Sequence, residues 1–213
     1  MKIYLSDEVK TVIEQFAAYG YTAYAVGGCV RDSLLSATPK DWDVCSPATP
    51  EMTKEIFKDF KVIDTGIRHG TVTVLVNDKP IEITTFRTEG AYSDRRHPDF
   101  VSFTADIAED LKRRDFTINA LAYNPAMGLV DIAGGQEDLK NKLIRTVGNA
   151  NERFSEDPLR ILRALRFSAS LGFKIENKTA ESVLTLYPLL GDIAAERIFA
   201  ELRLLLCGEN LYY

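Results

Sequence analysis

The chain has 213 residues, of which 46% are hydrophobic and 27% are charged, and its formal net charge is −5 at pH 7. This composition is typical of a globular protein with one sizeable core, or with one medium domain and a smaller partner. No stretch is apolar for long enough to span a bilayer. The net charge argues against a surface coated with basic residues for nucleic acid, although a local basic groove is compatible with it.

The first 35 residues of the sequence predict a helix, then a strand, and then a glycine turn that leads into a second, short helix. The N-terminus has no apolar run of the kind found in secretory signals, so a cytoplasmic protein is expected. Ser6 is placed to cap the first helix, and residues 21–26 have strand character. Gly27 and Gly28 follow directly, before a short helix at 30–35. At such a turn, backbone N–H groups and the positive end of the helix dipole can face an anion, although most glycine turns have no ligand.

Two carboxylates one residue apart follow this turn. Asp41 and Asp43 lie in a short stretch with strand character, in which alternation puts both on one face and turns their neighbours to the other. Because adjacent carboxylates repel, the pattern favours a divalent cation over a solvated turn when the glycine turn stands beside it. A hairpin of residues 71–76 and 81–86 adds Glu82, which is either a third carboxylate of this site or a surface residue.

Further along, a polar stretch and an arginine cluster are candidates for binding. Residues 87–99 contain Gly, Pro and three arginines without periodicity, which predicts a long loop that is either mobile or functional. The next cluster interleaves Arg113, Arg114 and Asn119 with apolar residues, so these polar groups need partners. Those partners are either structural salt bridges or the phosphates and ribose of a nucleotide.

From residue 151 onward the patterns are helical only, with helices at 157–171, 178–187 and 194–206. We therefore predict one domain at 1–148 and a helical domain at 149–213. In the first of these helices a charged residue recurs at every third position, which keeps neighbours along the row within reach of one another. The row consists of Asp157, Arg160, Arg163 and Arg166. It forms either a salt-bridged solvated face or a set of groups that bind a base edge and phosphates.

Taken together, these segments resemble the nucleotidyltransferase family of class II (bacterial-type) CCA-adding enzymes and bacterial poly(A) polymerases. The resemblance covers residues 20–206 and rests on five motifs in order. The motifs are residues 27–32 with 41–43, then 113–120, 131–139, 156–167 and 195–202. The fold that this resemblance implies is α+β, with a polymerase-beta-like nucleotidyltransferase head on a small mixed sheet and an all-helical neck.

The resemblance also implies an activity and its residues. The protein is expected to be a metal-dependent tRNA nucleotidyltransferase that adds C and A to the tRNA 3′ end from CTP and ATP. Asp41 and Asp43 are then catalytic and hold two Mg²⁺ ions, for which Mn²⁺ can substitute, with Glu82 as a candidate third ligand. The residues expected to bind the nucleotide are Gly27, Gly28, Arg31, Arg113, Arg114, Asn119, Asp157, Arg160, Arg163 and Arg166.

Asp157 and Arg160 are expected to read the incoming base. An arginine donates to O2 and N3 of cytosine or to N1 of adenine, and a carboxylate accepts from the exocyclic amine that both bases carry. Uracil and guanine present a carbonyl there, which leaves a buried group unpaired at a cost of about 1–3 kcal/mol. The pair can therefore select C and A without a nucleic-acid template.

Several alternatives remain open within this resemblance. They are addition of A alone, poly(A) addition, and a catalytically silent RNA- or nucleotide-binding module. The 87–99 loop resembles the flexible loop of members that add the terminal A, which disfavours a member restricted to two Cs. A phosphohydrolase is disfavoured as well, because His69 and His97 are the only histidines and form no His–Asp metal cluster.

Relatives in this family extend beyond the fifth motif. We therefore expect a catalytic fragment rather than a short natural variant, one that binds nucleotide but, at net charge −5, does not bind tRNA tightly. No membrane partner is expected, and the sequence does not indicate an oligomeric state.

Overall fold

The chain forms two compact units. The first contains the residues up to Thr88 together with Val101–Arg113 and Asn119–Ile132, and the second contains Glu89–Phe100, Arg114–Ile118 and the residues from Ala133 onward. The chain thus enters each unit more than once, and the boundary expected near residue 148 stays a prediction. The computed structural model describes residues 3–93, 95, 98–208 and 210, except for the side chains of Thr65 and Arg68.

The first unit is built on one mixed sheet of seven strands. Its strands are β1 Tyr24–Val26, β2 Asp43–Ser46, β3 Lys61–Gly66, β4 Thr71–Val76, β5 Lys79–Thr85, β8 Leu121–Asn124 and β9 Gly128–Asp131. Their order is β3-β4-β5-β2-β1-β8-β9, in which β2 and β5 are parallel and all other neighbours are antiparallel. The sheet with its separate helices confirms the predicted α+β class, although the sheet is larger than expected.

The hairpin of β4 and β5 is tighter than the sequence predicted. Val76 pairs with Lys79, so the connection is two residues long and not four. Asn77 and Asp78 both have positive φ, 51° and 60°. Such a two-residue turn matches the right-handed twist of the strands, and Asn and Asp tolerate that conformation because their short side chains can hydrogen-bond locally.

Four helices accompany this sheet. They are α1 Asp7–Ala18, α2 Gly28–Leu34, α3 Pro50–Ile56 and α4 Ile107–Lys112. The predicted cap of α1 is confirmed, since Oγ of Ser6 accepts from the N–H of Val9 at 3.3 Å. The apolar face of α1 is buried, and its Phe16 packs edge-on against Phe57 with ring centroids 5.1 Å apart. These buried aromatic rings form part of the core behind the sheet.

The second unit is mostly helical. Its elements are α5 Gly135–Lys140, β10 Leu143–Ile144, α6 Ala150–Glu156, α7 Leu159–Leu171, β11 Lys174–Ile175, α8 Asn177–Leu186, a 3₁₀ segment Tyr187–Asp192 and α9 Ala195–Leu206. Helix α7 ends at Leu171 as predicted, and Gly172, with φ 66°, is its C-cap. Helical patterns alone were expected from residue 151 onward, and that is wrong at β11, which pairs with β10 in parallel. In the described part of the chain no helix combines the length and apolar character needed to cross a membrane.

The predicted loop at 87–99 has strands at its base. β6 Arg87–Glu89 and β7 Val101–Phe103 form a two-stranded sheet. The N–H of Gly90 donates to O of Phe100 at 3.0 Å, and a Cβ on Gly90 would lie 2.4 Å from the exposed Phe100 ring, which would have to move to make room for it. The stretch therefore begins in one strand and is followed by another, which its lack of periodicity did not indicate. The expectation for His97 lies outside the described residues.

Candidate active site

Three exposed carboxylates lie on or next to β2 and β5. Strand β2 begins at Asp43, whose Cα is paired with that of Glu82 across the parallel ladder. Asp43 and Glu82 are exposed while residues 44 and 83 are buried, so the two carboxylates share the solvent-facing side. Asp41 is exposed too, but it lies in the bend before β2 and not in the strand. Among the described residues, no group of three or more His, Cys, Asp or Glu side chains forms a metal-binding cluster.

A groove of about 620 Å³ opens beside Asp41. It is bounded by the segment before α1, the loop between α2 and β2, and the start of β5. The half-buried Trp42 is one of its apolar walls. The first unit thus has open space next to a candidate catalytic carboxylate.

The turn between β1 and α2 contains a backbone conformation that only glycine adopts without strain. Gly27 has φ 80° and ψ −131°, a conformation that strains any side chain with a Cβ. Its N–H donates to O of Leu121 at 2.9 Å, so this amide is used within the fold. At the next residue, Gly28, a Cβ would lie 3.6 Å from Nη2 of Arg31. The predicted turn is present, and the guanidinium of Arg31 lies close to it.

Arg31 is held by two side chains of the first unit. Its Nε and Nη2 lie 2.8 and 2.7 Å from Oδ1 of Asp32, and its Nη1 donates to Oδ1 of Asn119 at 2.7 Å. The Arg31 side chain is only 11% exposed. The contact brings together two residues that were predicted from motifs far apart in sequence. A phosphate bound by Arg31 would share the guanidinium with these partners.

Arg113 and Arg114 belong to different units, although they are neighbours in sequence. In the first unit, Nε of Arg113 donates to Oδ1 of Asp110 at 2.9 Å. In the second unit Arg114 is half-buried, and Asp115 is 9% exposed. A structural ion pair, one of the two possibilities predicted for this cluster, is therefore present at Arg113.

In the second unit each arginine of the predicted row is paired with its own carboxylate. The pairs are Arg160 with Glu156, Arg163 with Asp115 and Arg166 with Glu201, each at 2.6 Å. The three guanidinium side chains are between 11% and 33% exposed. The salt-bridged interpretation of the row is thus right about the pairing, but the face is half-buried and not freely solvated.

Asp157 lies before α7, although the sequence predicted that the helix starts there. Its φ of −141° and ψ of 98° are extended, as expected of a residue that precedes a proline. Its Oδ1 accepts from the N–H of Leu159 at 3.2 Å, and its Oδ2 accepts from Nη2 of Arg197 at 3.1 Å. Nη1 of Arg160 also donates to O of Arg153 at 3.1 Å. Asp157 and Arg160 are therefore each fixed by partners of their own.

Burial and neighbouring charges shift the pKa values of this cluster in different directions. The carboxylate of Asp115 raises the pKa of Arg163, whereas burial lowers the pKa of Arg166. Burial also disfavours the charged form of Arg160, but Tyr92 and Glu156 outweigh it and the net pKa is raised. Burial, followed by a hydrogen bond to Glu89, raises the pKa of Tyr92, whose ring lies 5.8 Å from Cζ of Arg160.

The sequence did not single out the residues that orient these arginines. Glu156, Asp115 and Glu201 lie in the quoted motifs without an assigned role. One signal was available, because Arg197 and Glu201 are four residues apart on α9 and must share a face. Glu201 is buried, which identifies that face as the one turned toward the rest of the unit.

Comparison with known families agrees with the motifs. The profile of the family described as "Poly A polymerase head domain" matches residues 23–145, which is more than half of the chain. The chain belongs to this family. A second profile, described as "Probable RNA and SrmB- binding site of polymerase A", matches residues 172–213. The family resemblance that the motifs carried is thereby confirmed.

Curated members of the family are similar over almost the whole chain. A CCA-adding enzyme of Enterococcus faecalis is 50% identical over 203 residues, which is 95% of this chain and 50% of that protein. One of Oceanobacillus iheyensis is 48% identical over 200 residues, 94% of this chain and 50% of that protein. The chain spans about half the length of the curated relatives it matches.

Solved structures of the family have the same fold. The CCA-adding enzyme of Bacillus stearothermophilus in complex with CTP has a TM-score of 0.86 at 43% identity, covering 94% of this chain and 48% of that one. The Thermotoga maritima CCA-adding enzyme complexed with tRNA_CCA has a TM-score of 0.81 at 27% identity, covering 99% and 52%. The nucleotidyltransferase head fold predicted from the motifs is confirmed.

Proposed function

We propose that this chain carries the head and neck of a tRNA nucleotidyltransferase that adds C and A to the 3′ end of tRNA from CTP and ATP, without a template. The main support is the exposed Asp43 in register with Glu82, next to Asp41 and in the same unit as the Arg31–Asn119 contact. On this proposal residues 1–148 act as the catalytic head and residues 149–213 as the neck.

Asp41 and Asp43 are the proposed catalytic residues and hold Mg²⁺, with Glu82 as a third carboxylate. The donor set fits a hard divalent cation, because it consists of exposed carboxylate oxygens, and a bound cation relieves the repulsion between them. When bound, the ions supply activation of the RNA 3′-hydroxyl and neutralise charge on the pyrophosphate leaving group.

The triphosphate and ribose are assigned to residues of the head. Gly27 and Gly28 keep the turn free of side chains, and Arg31 with Asn119 offers hydrogen-bonding groups beside it. Arg113 adds a guanidinium whose orientation is set by its ion pair. A forked donor of this kind suits phosphate oxygens, since it can bind two of them at once.

Asp157 and Arg160 read the base, supported by Arg114, Arg163 and Arg166. Because Asp157 is held by Arg197 and Arg160 by Glu156, the two do not neutralise each other directly. They can offer an acceptor and a donor to one base edge, the combination that cytosine and adenine satisfy and that uracil and guanine do not.

RNA is the proposed acceptor. A structural relative was solved with tRNA_CCA, and residues 172–213 match an RNA-binding profile. These substrates fit a cytoplasmic enzyme. The net charge of −5 makes strong non-specific attraction to RNA unfavourable, so weak tRNA binding by this chain is expected.

An incorporation assay tests this function. Radiolabelled CTP alone, ATP alone and both together are incubated with Mg²⁺ and with tRNAs that lack one, two or three terminal nucleotides. The variants are Asp41→Ala and Asp43→Ala, with Asp59→Ala as the matched control, because Asp59 is an exposed aspartate of the same unit outside the site. Circular dichroism verifies that each variant is folded.

The expected result is C and A addition by the wild type and by Asp59→Ala, and a loss of at least about a thousandfold in Asp41→Ala and Asp43→Ala. If the products contained A alone, or long A tracts, CCA addition would be refuted and the chain would be assigned A addition or poly(A) addition instead. Undiminished incorporation by Asp43→Ala would refute the assignment of the carboxylates.

A further inference from the structure

Helix α4 carries a carboxylate that water does not reach. Asp110 is 0% exposed, and its Oδ1 accepts from Nε and Nη2 of Arg113 at 2.9 and 2.8 Å. Arg113 itself is 16% exposed. An ionised carboxylate is tolerated at such a position only when it is paired and hydrogen-bonded, so this contact is a firmly fixed one.

The same oxygen also holds the first residue of β6. The backbone N–H of Arg87 donates to Oδ1 of Asp110 at 3.2 Å, and the guanidinium of Arg87 donates to O of His69. A single oxygen of Asp110 therefore contacts both the guanidinium of Arg113 and the start of the 87–99 segment. Both contacts lie within the first unit.

We propose that Asp110 is a positioning residue for nucleotide binding, acting through Arg113. The inference rests on the proposed function, in which Arg113 binds the phosphate or ribose of the incoming nucleotide. With the Nε–Nη2 edge fixed on a buried carboxylate, the plane of the rigid guanidinium fork is set before the ligand arrives. Preorganisation of this kind raises affinity because less side-chain entropy is lost on binding.

Charge and orientation predict opposite effects for Asp110→Asn. The change keeps the shape and removes one negative charge next to Arg113. If Asp110 only offset the charge of Arg113, the variant would bind an anionic nucleotide more tightly. If Asp110 orients Arg113, the variant binds it more weakly, even though the surroundings have become more positive. The sign of the change in affinity therefore distinguishes the two roles.

The experiment compares Asp110→Asn with Glu109→Gln on the same helix. Glu109 is 40% exposed and pairs with Lys112 at 2.6 Å, so its variant makes the same change of charge without touching Arg113. KM and kcat for CTP and ATP are measured by incorporation, and equilibrium binding of each nucleotide is measured by calorimetry. Asp110→Asn should raise KM and Kd about tenfold, and kcat should change by less than about twofold. Glu109→Gln should match the wild type.

Two further variants keep the test decisive if Asp110→Asn is poorly folded. Arg113→Lys retains the charge and an ion pair with Asp110 but lacks the fork, so it should raise KM by a similar factor. In an Arg113→Gln background, Asp110→Asn should cause no further loss of nucleotide affinity, since its effect passes through Arg113.

Wild-type KM in Asp110→Asn or in Arg113→Lys, or tighter binding in Asp110→Asn, would overturn the inference. A separate outcome concerns the proposed function alone. If the wild-type chain neither incorporates nor binds CTP and ATP, the nucleotidyltransferase assignment fails, whatever the variants do.

Discussion

Glu201 offers a direct test of how the second unit is stabilised. Its side chain is 11% exposed, its Oε2 accepts from Nε of Arg166 at 2.6 Å, and its Oε1 lies 3.7 Å from Nη1 of Arg163. Glu201→Gln keeps the shape and removes the negative charge that both guanidiniums face. Burial already lowers the pKa of Arg166, so the variant leaves a poorly solvated cation without its counter-charge.

The size of the effect follows from the burial of the pair. Removing one partner of a fully buried ion pair costs about 3–5 kcal/mol, and a hydrogen bond to a charged group contributes about 1.5–3 kcal/mol. Because Arg166 and Arg163 are 18% and 33% exposed, water offsets part of the loss. We therefore expect a loss of about 2 kcal/mol, which for a chain of this size lowers Tm by about 4–8 °C.

Thermal unfolding followed by circular dichroism measures this difference. Glu196→Gln is the matched control, since Glu196 is an exposed glutamate on the same helix and its variant should shift Tm by less than about 2 °C. Equal Tm values for the two variants would refute the idea that Glu201 stabilises the unit through these arginines. Altered discrimination between CTP and UTP at unchanged Tm would instead assign the contact to base reading.

Two further predictions concern an acidic side chain and the close approach of Gly208, just after α9, to helix α7. Glu8 accepts from Lys79 at 2.8 Å, and that hydrogen bond lowers the pKa of its carboxyl to about 2. Its folded pKa is depressed, so the stabilisation is complete above the unfolded value of 4.5 and is lost as pH falls through about 2. In urea unfolding, the wild type should accordingly have a higher free energy of unfolding than Glu8→Gln. This difference should be largest near pH 6 and vanish toward pH 2, and a difference that does not change with pH would contradict the prediction. At Gly208 a Cβ would lie 2.9 Å from the backbone carbon of Ala169, whereas at Gly191 it would meet nothing within 4 Å. Gly208→Ala should therefore lose about 1–3 kcal/mol of unfolding free energy relative to Gly191→Ala in the same assay, and equal stabilities would show that the segment after α9 can move away from α7 without cost.

Local chemistry explains which elements could be predicted from the sequence. The Ser6 cap and the end of α7 at Leu171, where Gly172 takes the αL conformation, are decided by contacts within a few residues, and both match the prediction. The exposed Glu82 between the buried Ile81 and Ile83 likewise follows from strand alternation alone. Such features do not depend on where the rest of the chain lies.

The elements that were missed depend on pairing with distant residues. Strand β8 is buried on both faces along its whole length, including the polar Asn124, so no alternation of apolar and polar residues identifies it. The two-residue strand β11 exists only because residues 174 and 175 pair with β10 about thirty positions earlier. Helix α6 ends at Glu156 because Pro158 restricts Asp157, a signal that was present but was outweighed by the three-residue charge row. The partners of Arg163 and Arg166, namely Asp115 and Glu201, likewise lie far away in sequence.

The pairing in the second unit bears on how an acidic chain could select a nucleotide. Five arginines face four carboxylates there, so the cluster is nearly neutral. Its members are Arg153, Arg160, Arg163, Arg166 and Arg197 with Glu156, Asp115, Glu201 and Asp157. Such a cluster attracts phosphate only weakly by charge, because the fields of its members largely cancel beyond a few ångströms. What it retains is direction, since each guanidinium is held in a fixed plane by its carboxylate. Discrimination of cytosine from uracil depends on whether a donor or an acceptor is met at one ring position, and therefore on direction and not on net charge. The net charge of −5 is thus compatible with nucleotide selection by this unit, even though it disfavours tight binding of RNA.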